Sequence, residues 1–239
     1  VYLGEHSTLN RKVAIKVLLP ELALNKEIRE RFINEAKTLS KLNHKNIVSL
    51  YDFTESDNNL FLIMEFIEGP SLDEVIEKKV GAIPEARCLK IFEQILDGFS
   101  YAHSNGIVHR DIKPSNIILQ NNDVPKILDF GIAKIVEGNS KITKIGTKIG
   151  SVVYMSPEQI LGTEVDYRSD IYSLGVTLFE MLSGKTPYNS ETESDFQIQS
   201  KIVQEPLPSI KAINPSISER ADYLISKATS KDPLQRFQN

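Results

Sequence analysis

The chain has 239 residues, enough for one large domain or two closely packed lobes. Its formal net charge of -4 provides no basic field for nucleic acid or anionic lipid. The single cysteine, Cys88, excludes an internal disulfide framework and fits a reducing compartment. No apolar run approaches the roughly 20 residues that a membrane helix needs.

The N-terminal residues alternate between strand and helix patterns. Residues 1–19 read as two β-rich runs around a polar turn. Residues 25–42 switch to helical spacing, with Asn25 as a candidate N-cap. Residues 46–67 look like a hairpin that turns at Ser56–Asn59. The predicted order is strand, strand, helix, strand, strand.

From Ser71 onward the pattern is mainly helical. Residues 85–104 repeat apolar side chains at helical spacing. Residues 132–150 follow neither a helix nor a strand pattern and predict a mobile loop. The layout is therefore a small β-rich lobe followed by a larger helical one.

Two further helices are predicted in the C-terminal part. The apolar run at 170–184 reads as a helix through the middle of a lobe, which Asp170 would cap and Gly184 would end. Another helix is expected from Ser218 to about Lys231.

Residues 109–116 read HRDIKPSN and connect the helical segment 85–104 to the apolar run IILQ. A solvated loop could carry these charges. However, polar groups that join two buried elements need partners or a function. The octapeptide is therefore a candidate for chemistry.

Further motifs surround this octapeptide in a fixed order: VAIK ends at Lys16, DFG spans Asp129–Gly131, and SPE spans Ser156–Glu158. In this order the motifs resemble the signature set of protein kinases. HRDIKPSN, MSPEQ and DYRSDIYSLG are most similar to the bacterial serine/threonine kinases of eukaryotic type. The resemblance covers essentially the whole chain.

The resemblance implies an α+β, two-lobed protein-kinase-like fold. Its small N-lobe would occupy residues 1–67 and its mainly helical C-lobe residues 68–239. The C-lobe would contain the catalytic loop 109–116 and the activation segment 129–158.

The implied reaction is transfer of the γ-phosphoryl group of ATP to serine or threonine hydroxyls of proteins. Its transition state spreads charge over the phosphoryl oxygens, so catalysis is mainly positioning and neutralisation. By resemblance, Lys16 would hold the α- and β-phosphates and pair with Glu35. A solvated helix charge is the alternative for Glu35, but Glu35 lies between the apolar residues Phe32 and Leu39.

The catalytic loop would supply the remaining chemistry. The resemblance implies that Asp111 accepts or orients the proton of the acceptor hydroxyl and that Lys113 neutralises the moving phosphoryl group. Asp129 and Asn116 would bind Mg²⁺, or Mn²⁺ in its place, through oxygen ligands.

Other positions carry over from the same resemblance. His109 and Phe130 would stack with Leu39 and Leu50 into a spine between the lobes. The implied buried pair is Glu158 with Arg236, while Asp170 would brace the catalytic loop. The adenine-contacting positions are Val1, Ala14, Met64, Glu65, Ile67 and Ile118, of which Met64 would gate the pocket, while Glu65 and Ile67 would act through their backbone.

One part of the family pattern is missing. The glycine-rich loop that covers the phosphates should precede Val1, which would be its final valine. We therefore expect a fragment of a longer protein, and one that binds nucleotide poorly in this form.

The activation segment carries candidate regulatory residues. Thr143 and Thr147 are the predicted phosphorylation sites, and Ser140 and Ser151 are weaker candidates. The resemblance brings Lys134 and Arg31 toward Arg110, and a phosphate would bridge these three cations. A solvated loop with incidental threonines is the alternative.

Two residues of this segment are predicted to contact the substrate. By the same resemblance, Ser151 would contact Asp111 and Lys113. The resemblance also places Ile132, directly after DFG, close to the acceptor side chain. Ile132 is stiff at χ1 and would favour threonine as the acceptor by several-fold, since one buried methyl contributes about 1 kcal/mol. Alternatively, Ile132 merely fills the core.

Two other functions compete with protein phosphorylation. A pseudokinase scaffold usually lacks at least one of the catalytic residues, and all are present here. A small-molecule kinase is disfavoured by SVVYMSPEQ, which resembles a peptide-docking segment. The expected partners are protein substrates and a second copy for autophosphorylation, with no nucleic acid and no membrane contact in this fragment. The expected location is the cytoplasm, including the cytosolic side of a membrane-anchored protein.

Overall fold

The computed structural model describes residues 1–57, 59–130, 152–189 and 192–238. Side chains are described throughout these ranges except at positions 31 and 79. The loop predicted at 132–150 therefore lies outside the described residues.

The N-terminal part is built on an antiparallel sheet with the strand order β1-β2-β4-β3. Its strands are β1 (Tyr2–His6), β2 (Arg11–Leu18), β3 (Leu50–Ser56) and β4 (Asn59–Glu65). Alternate residues of β4 are buried, as period-2 side-chain geometry requires. Strand β2 pairs on both sides, and its Ala14 lies opposite Met64. The interior position of β2 fixes where Lys16 projects.

Two helices connect β2 to β3, namely α1 (Pro20–Ala23) and α2 (Lys26–Leu39). The predicted N-cap is confirmed, because the Asn25 side chain accepts hydrogen bonds from the N–H groups of Glu27 at 3.0 Å and Ile28 at 3.3 Å. The buried stripe of α2 includes Phe32, Ala36 and Leu39.

The rest of the chain is mainly helical. Its helices are α3 (Leu72–Glu74), α4 (Glu85–Ser104), α5 (Pro157–Leu161), α6 (Tyr167–Ser183), α7 (Asp195–Gln204), α8 (Ile210–Ile213) and α9 (Glu219–Ala228). A two-stranded hairpin of β5 (Ile117–Gln120) and β6 (Val124–Ile127) follows the octapeptide. The predicted helix at 85–104 is confirmed. Helix α6 is buried on nearly all sides from residue 172 to residue 182, as its apolar sequence predicted.

The predicted cap of α6 is wrong. Asp166 is the N-cap residue, and its Oδ1 accepts from the N–H of Arg168 at 2.8 Å. Asp170 lies one turn inside the helix, where its carboxylate binds another segment. The predicted end is confirmed, since Gly184 adopts a left-handed φ of 75° that favours glycine.

Helix α9 begins where predicted, with the Ser218 side chain accepting from the N–H of Ala221. It ends at Ala228, three residues before the predicted Lys231. Thr229 is its C-cap residue, and Asp232 then caps a separate 3-10 turn at Pro233–Gln235.

A small antiparallel sheet with α2, followed by a mainly helical part, confirms the predicted α+β class. One cluster of buried apolar residues runs continuously from the sheet into the helical part. Among the described helices, none combines the length and apolar composition that crossing a membrane requires.

Candidate active site

Lys16 lies between two carboxylates contributed by different parts of the chain. Its Nζ is 2.6 Å from Glu35 Oε1 and 3.0 Å from Asp129 Oδ1. The lysine comes from β2, Glu35 from α2, and Asp129 follows β6. The Asp129 side chain is the most exposed of the three at 45%. The cluster therefore presents a carboxylate and an ammonium toward the open side of the site.

The electrostatics keep Lys16 charged. Burial alone would lower the pKa of its ammonium group, but the carboxylates of Asp129 and Glu35 outweigh burial and raise the pKa above 10.5. Lys16 is therefore a permanent cation at neutral pH, as a phosphate-binding group must be.

The octapeptide forms a second polar cluster. Lys113 Nζ donates to Asp111 Oδ2 at 2.8 Å, and Asn116 Nδ2 donates to the carbonyl of Asp111 at 2.9 Å. The backbone carbonyl of Asn116 in turn accepts a hydrogen bond from the N–H of Leu128, the residue before Asp129, at 2.8 Å. These bonds connect Asp111 to the segment that carries Asp129.

Asp129 and Asn116 form a donor set that fits a divalent cation. Because the amide nitrogen of Asn116 is held by Asp111, its oxygen is the group that can bind a cation. A half-exposed carboxylate and one amide oxygen suit Mg²⁺, which takes few protein ligands and completes its shell with water and substrate phosphates.

Asp170 fixes the backbone of the octapeptide through hydrogen bonds. Its two carboxylate oxygens accept the N–H groups of His109 and Arg110, each at 2.8 Å, and His103 Nε2 lies 2.8 Å from Oδ2. Asp170 is fully buried, so these bonds offset the cost of burying its charge. They also stabilise Arg110 at a φ of 67°, an uncommon conformation for a non-glycine residue.

The rings of Phe99, His109 and Phe130 pack together next to this loop. Ring centroids are 4.8 Å apart for His109 and Phe130, and 5.6 Å for Phe99 and His109. His109 Nε2 donates to the carbonyl of Leu128, and its Nδ1 accepts from the N–H of Asp111, which corresponds to the neutral imidazole. Leu39 is buried in the same core, and Leu50 packs against its edge.

The positions predicted to contact adenine lie on or next to β2, β4 and β5 and at the start of the chain. Ala14 and Met64 face each other across β2 and β4, and Ile118 lies on β5. Val1 is 80% exposed at the start of the chain. The N–H of Glu65 donates to the carbonyl of Ser49 at 2.9 Å, so a contact of Glu65 with adenine would use its carbonyl oxygen. Ile67 is buried.

Glu158 and Arg236 form a buried bidentate pair. Arg236 Nη1 and Nη2 lie 2.6 Å and 2.9 Å from the two oxygens of Glu158. The hydroxyl of Ser169 also donates to Glu158 Oε1. The pair joins α5 to the end of the chain and is structural.

Several predicted residues lie outside the described parts of the chain. They are Ile132, Lys134, Ser140, Thr143, Thr147 and Ser151. The side chain of Arg31 is likewise outside the description. Their roles stay predictions.

Sequence reasoning missed three polar side chains that have specific partners in the fold. His103 contacts Asp170, Lys126 pairs with Glu65, and Glu180 accepts a hydrogen bond from the hydroxyl of Tyr154 at 2.6 Å. Lys126 and Glu180 each interrupt an apolar run, which was the available signal.

Comparisons with known proteins agree with this geometry. The family model described as "Protein kinase domain" matches residues 1–238. The serine/threonine-protein kinase PrkC of Bacillus subtilis is 43% identical over 238 residues, covering 100% of this chain and 36% of that protein. A probable serine/threonine-protein kinase, CPE1738, of Clostridium perfringens is 40% identical, covering 100% of this chain and 34% of that protein. The chain thus spans about a third of the length of these curated relatives.

A solved structure shows the same fold. The kinase domain of Mycobacterium tuberculosis PknI, crystallised as a point mutant, superposes with a TM-score of 0.74 at 27% identity, covering 99% of this chain and 84% of that one. The polar clusters around Lys16 and Asp111, the two-lobed fold and the full-length family match lead to one conclusion: this chain belongs to the protein kinase domain family.

Proposed function

We propose that this chain is the catalytic domain of a protein serine/threonine kinase that transfers the γ-phosphoryl group of ATP to hydroxyls of protein substrates. The observation that carries the proposal is the convergence of two clusters. Lys16 contacts Glu35 and Asp129, while Lys113 and Asn116 contact Asp111. These are the cationic, basic and oxygen-donor groups that phosphoryl transfer requires.

In this mechanism the acceptor hydroxyl oxygen attacks the γ-phosphorus. The new O–P bond forms as the bond to the β-phosphate oxygen breaks and ADP leaves. Asp111 takes the proton of the hydroxyl, which keeps its oxygen nucleophilic. Lys113, 2.8 Å from Asp111, neutralises charge that moves with the phosphoryl group.

Lys16 and Glu35 act on the other end of the nucleotide. The ammonium of Lys16 binds the α- and β-phosphates, and Glu35, 2.6 Å away, fixes its direction. Because Glu35 is on α2, displacement of that helix would withdraw the support of Lys16 and lower activity.

Asp129 and Asn116 would hold the divalent cation, for which we propose Mg²⁺, with Mn²⁺ as a substitute. When bound, the ion neutralises phosphate charge and orients the γ-phosphoryl group. The adenine would lie between Ala14, Val1 and Ile118. Met64 would border the pocket behind it.

We also propose that phosphorylation of the activation segment regulates the enzyme. The Nε of Arg110 is buried and has no hydrogen-bond partner among the described residues. The carbonyl of Arg110 is held by Gln159 Nε2 at 2.8 Å, so its backbone is fixed while its guanidinium retains a donor. A phosphate on Thr143 or Thr147 would accept a hydrogen bond from this Nε–H group. Autophosphorylation would require two copies of the chain to associate.

The location follows from the chemistry. Cys88 is buried as a free thiol, and ATP is the proposed substrate, so we propose that this domain works in the cytosol.

Phosphate transfer by the full-length protein tests the function. With labelled ATP, Mg²⁺ and a generic protein substrate, we expect turnover that Asp111→Ala abolishes. Asp52→Ala removes an exposed carboxylate on β3 and should leave turnover unchanged. A folded wild-type protein that transfers no phosphate would favour the pseudokinase scaffold, and transfer to a small molecule alone would favour the other alternative.

A further inference from the structure

A buried lysine lies behind the candidate nucleotide site. Lys126, on β6, is 8% exposed, and its Nζ lies 2.8 Å from Glu65 Oε2 and 3.4 Å from the carbonyl of Ile47. Burying an ammonium group is costly unless it is paired, and a buried ion pair adds little net stability compared with apolar residues. We therefore expect this pair to serve in positioning the backbone segments that it connects rather than in stabilising the fold.

The partner, Glu65, is the last residue of β4 and the point where the sheet reaches the adenine positions. Its N–H donates to the carbonyl of Ser49 at 2.9 Å, and its Oε2 accepts from the N–H of Ser49 at 3.3 Å. Both the backbone and the side chain of Glu65 are thus bound to the segment 43–49, which we call the joint loop. Lys126 adds to this attachment, because its Nζ contacts both Glu65 Oε2 and the carbonyl of Ile47 in the same loop.

The joint loop is also bonded to β6. The N–H of Val48 donates to the carbonyl of Ile127 at 2.9 Å, and the N–H of Ile127 donates to the carbonyl of Asn46 at 2.8 Å. The Asn46 side chain adds a buried bond to the carbonyl of Pro125 at 2.9 Å. The loop and the strand that precedes Asp129 therefore form one hydrogen-bonded unit.

Three parts of the nucleotide site meet at this loop. Helix α2, which carries Glu35, ends at Leu39, and three residues separate it from the joint loop. Strand β6 leads on to Asp129, and Glu65 attaches the end of β4 to the loop. Lys126 provides the charged contact between the last two. Removing its charge would leave the carboxylate of Glu65, whose side chain is only 22% exposed, without its cation.

We propose that Lys126 is a positioning residue for nucleotide binding, which acts through its ion pair with Glu65 to fix the backbone that contacts adenine relative to Asp129. The identity of the nucleotide rests on the proposed function. Loss of the pair lets the carboxylate turn toward water and carries the end of β4 with it. A displacement of about 1 Å at such a position is enough to weaken a well-oriented interaction substantially.

The test measures binding of a fluorescent ATP analogue with Mg²⁺ to the full-length protein, alongside Tm. Lys126→Met keeps the chain length and removes the charge, and we expect its Kd to rise about tenfold. Lys126→Arg keeps the charge and should restore most of the affinity. Adding Glu65→Gln to Lys126→Met should weaken binding no further, because the two residues act as one unit. The KM for the protein substrate should not change.

Lys45→Met is the matched control, since Lys45 pairs with Asp97 at 3.2 Å on the exposed side of the same loop. A lower Tm for Lys126→Met with an unchanged Kd in the folded protein would mean a purely structural role and overturn the proposal. Equal loss in Lys126→Arg and Lys126→Met would also overturn it. A wild type that binds ATP but transfers no phosphate would contradict the proposed function while the comparison of Kd values still decides this inference; a wild type that binds no ATP would overturn both.

Discussion

The guanidinium of Arg236 and the carboxylate of Glu158 form a two-bond pair across 78 residues of sequence, with distances of 2.6 Å and 2.9 Å. Both residues are buried, Arg236 at 2% exposure. The three remaining donors of Arg236 bind backbone carbonyls, those of Arg168 and Ser230 at 2.8 Å and that of Lys231 at 3.3 Å. The arginine is therefore fully used in holding α5, α6 and the end of the chain together.

Arg236→Met should lower the free energy of unfolding by about 3–5 kcal/mol, because it leaves the charge of Glu158 buried without its partner. Chemical denaturation of the variant measures this loss. Arg29→Met, which breaks an exposed pair with Glu55, should cost no more than about 1 kcal/mol. Equal losses in the two variants would contradict the prediction.

The same pair predicts loss of stability in acid. Burial would raise the pKa of Glu158, but hydrogen bonds from Arg236 and Ser169 hold it below its ordinary value of 4.5. A depressed carboxyl pKa stabilises the folded state above the unfolded value, and this contribution is lost as the pH falls below about 4.5.

Glu180 should show the opposite pH dependence. Burial raises its pKa to about 7, although the hydroxyl of Tyr154 opposes the shift. The folded state then binds more protons than the unfolded state between about pH 4.5 and pH 7, so stability falls as the pH rises through this window. Glu180→Gln should remove this slope. Its free energy of unfolding relative to wild type should therefore rise by on the order of 2 kcal/mol from pH 5 to pH 8.

Urea denaturation of wild type and Glu180→Gln at pH 5 and pH 8 measures the free energies of unfolding for this comparison. Glu30→Gln, at an exposed position on α2, should not change the slope. If the difference between wild type and Glu180→Gln is the same at pH 5 and pH 8, the buried carboxyl does not titrate as inferred.

Local features of the fold were predictable from the sequence, whereas side-chain contacts between residues far apart in the sequence were not. Asn25 and Gly184 were identified because capping depends on neighbouring residues. Asp170 was predicted as the cap because it opens the apolar run 170–184, whereas the helix begins at Tyr167 and Asp166 caps it. Only the tertiary structure reveals that Asp170 is already used by the N–H groups of His109 and Arg110.

The motifs identified the polar residues of the site, but not the groups that support them. Lys126 pairs with a residue 61 positions away, and Glu180 with one 26 positions away. No local pattern encodes such a partner. In both cases a single charge inside an apolar segment was the only indication.

Asp129→Asn should lower phosphate transfer by about a hundredfold or more, because it removes the charge at the cation site but little volume. The fold should survive, since Asp129 is 45% exposed and Lys16 keeps Glu35 as a partner. Transfer rate and Tm are measured together in the full-length protein. Asp195→Asn, at an exposed site on α7, should change neither. Near-wild-type turnover in Asp129→Asn would rule out its role as a metal ligand.

The last prediction concerns Arg110 and phosphorylation of Thr143 and Thr147. Hydrogen bonds to charged groups contribute about 1.5–3 kcal/mol. The Nε of Arg110 has no hydrogen-bond partner in the part of the chain that the structure describes, so a phosphate bound there should raise activity about tenfold or more. Mass spectrometry of active enzyme should find the modification. Thr143→Ala/Thr147→Ala should lower activity, whereas Ser140→Ala should have little effect. In Arg110→Ala, which lacks the phosphate-binding donor, the double alanine substitution should cost no further activity. Full activity of Thr143→Ala/Thr147→Ala, or additive losses with Arg110→Ala, would show that Arg110 does not bind an activating phosphate at these positions.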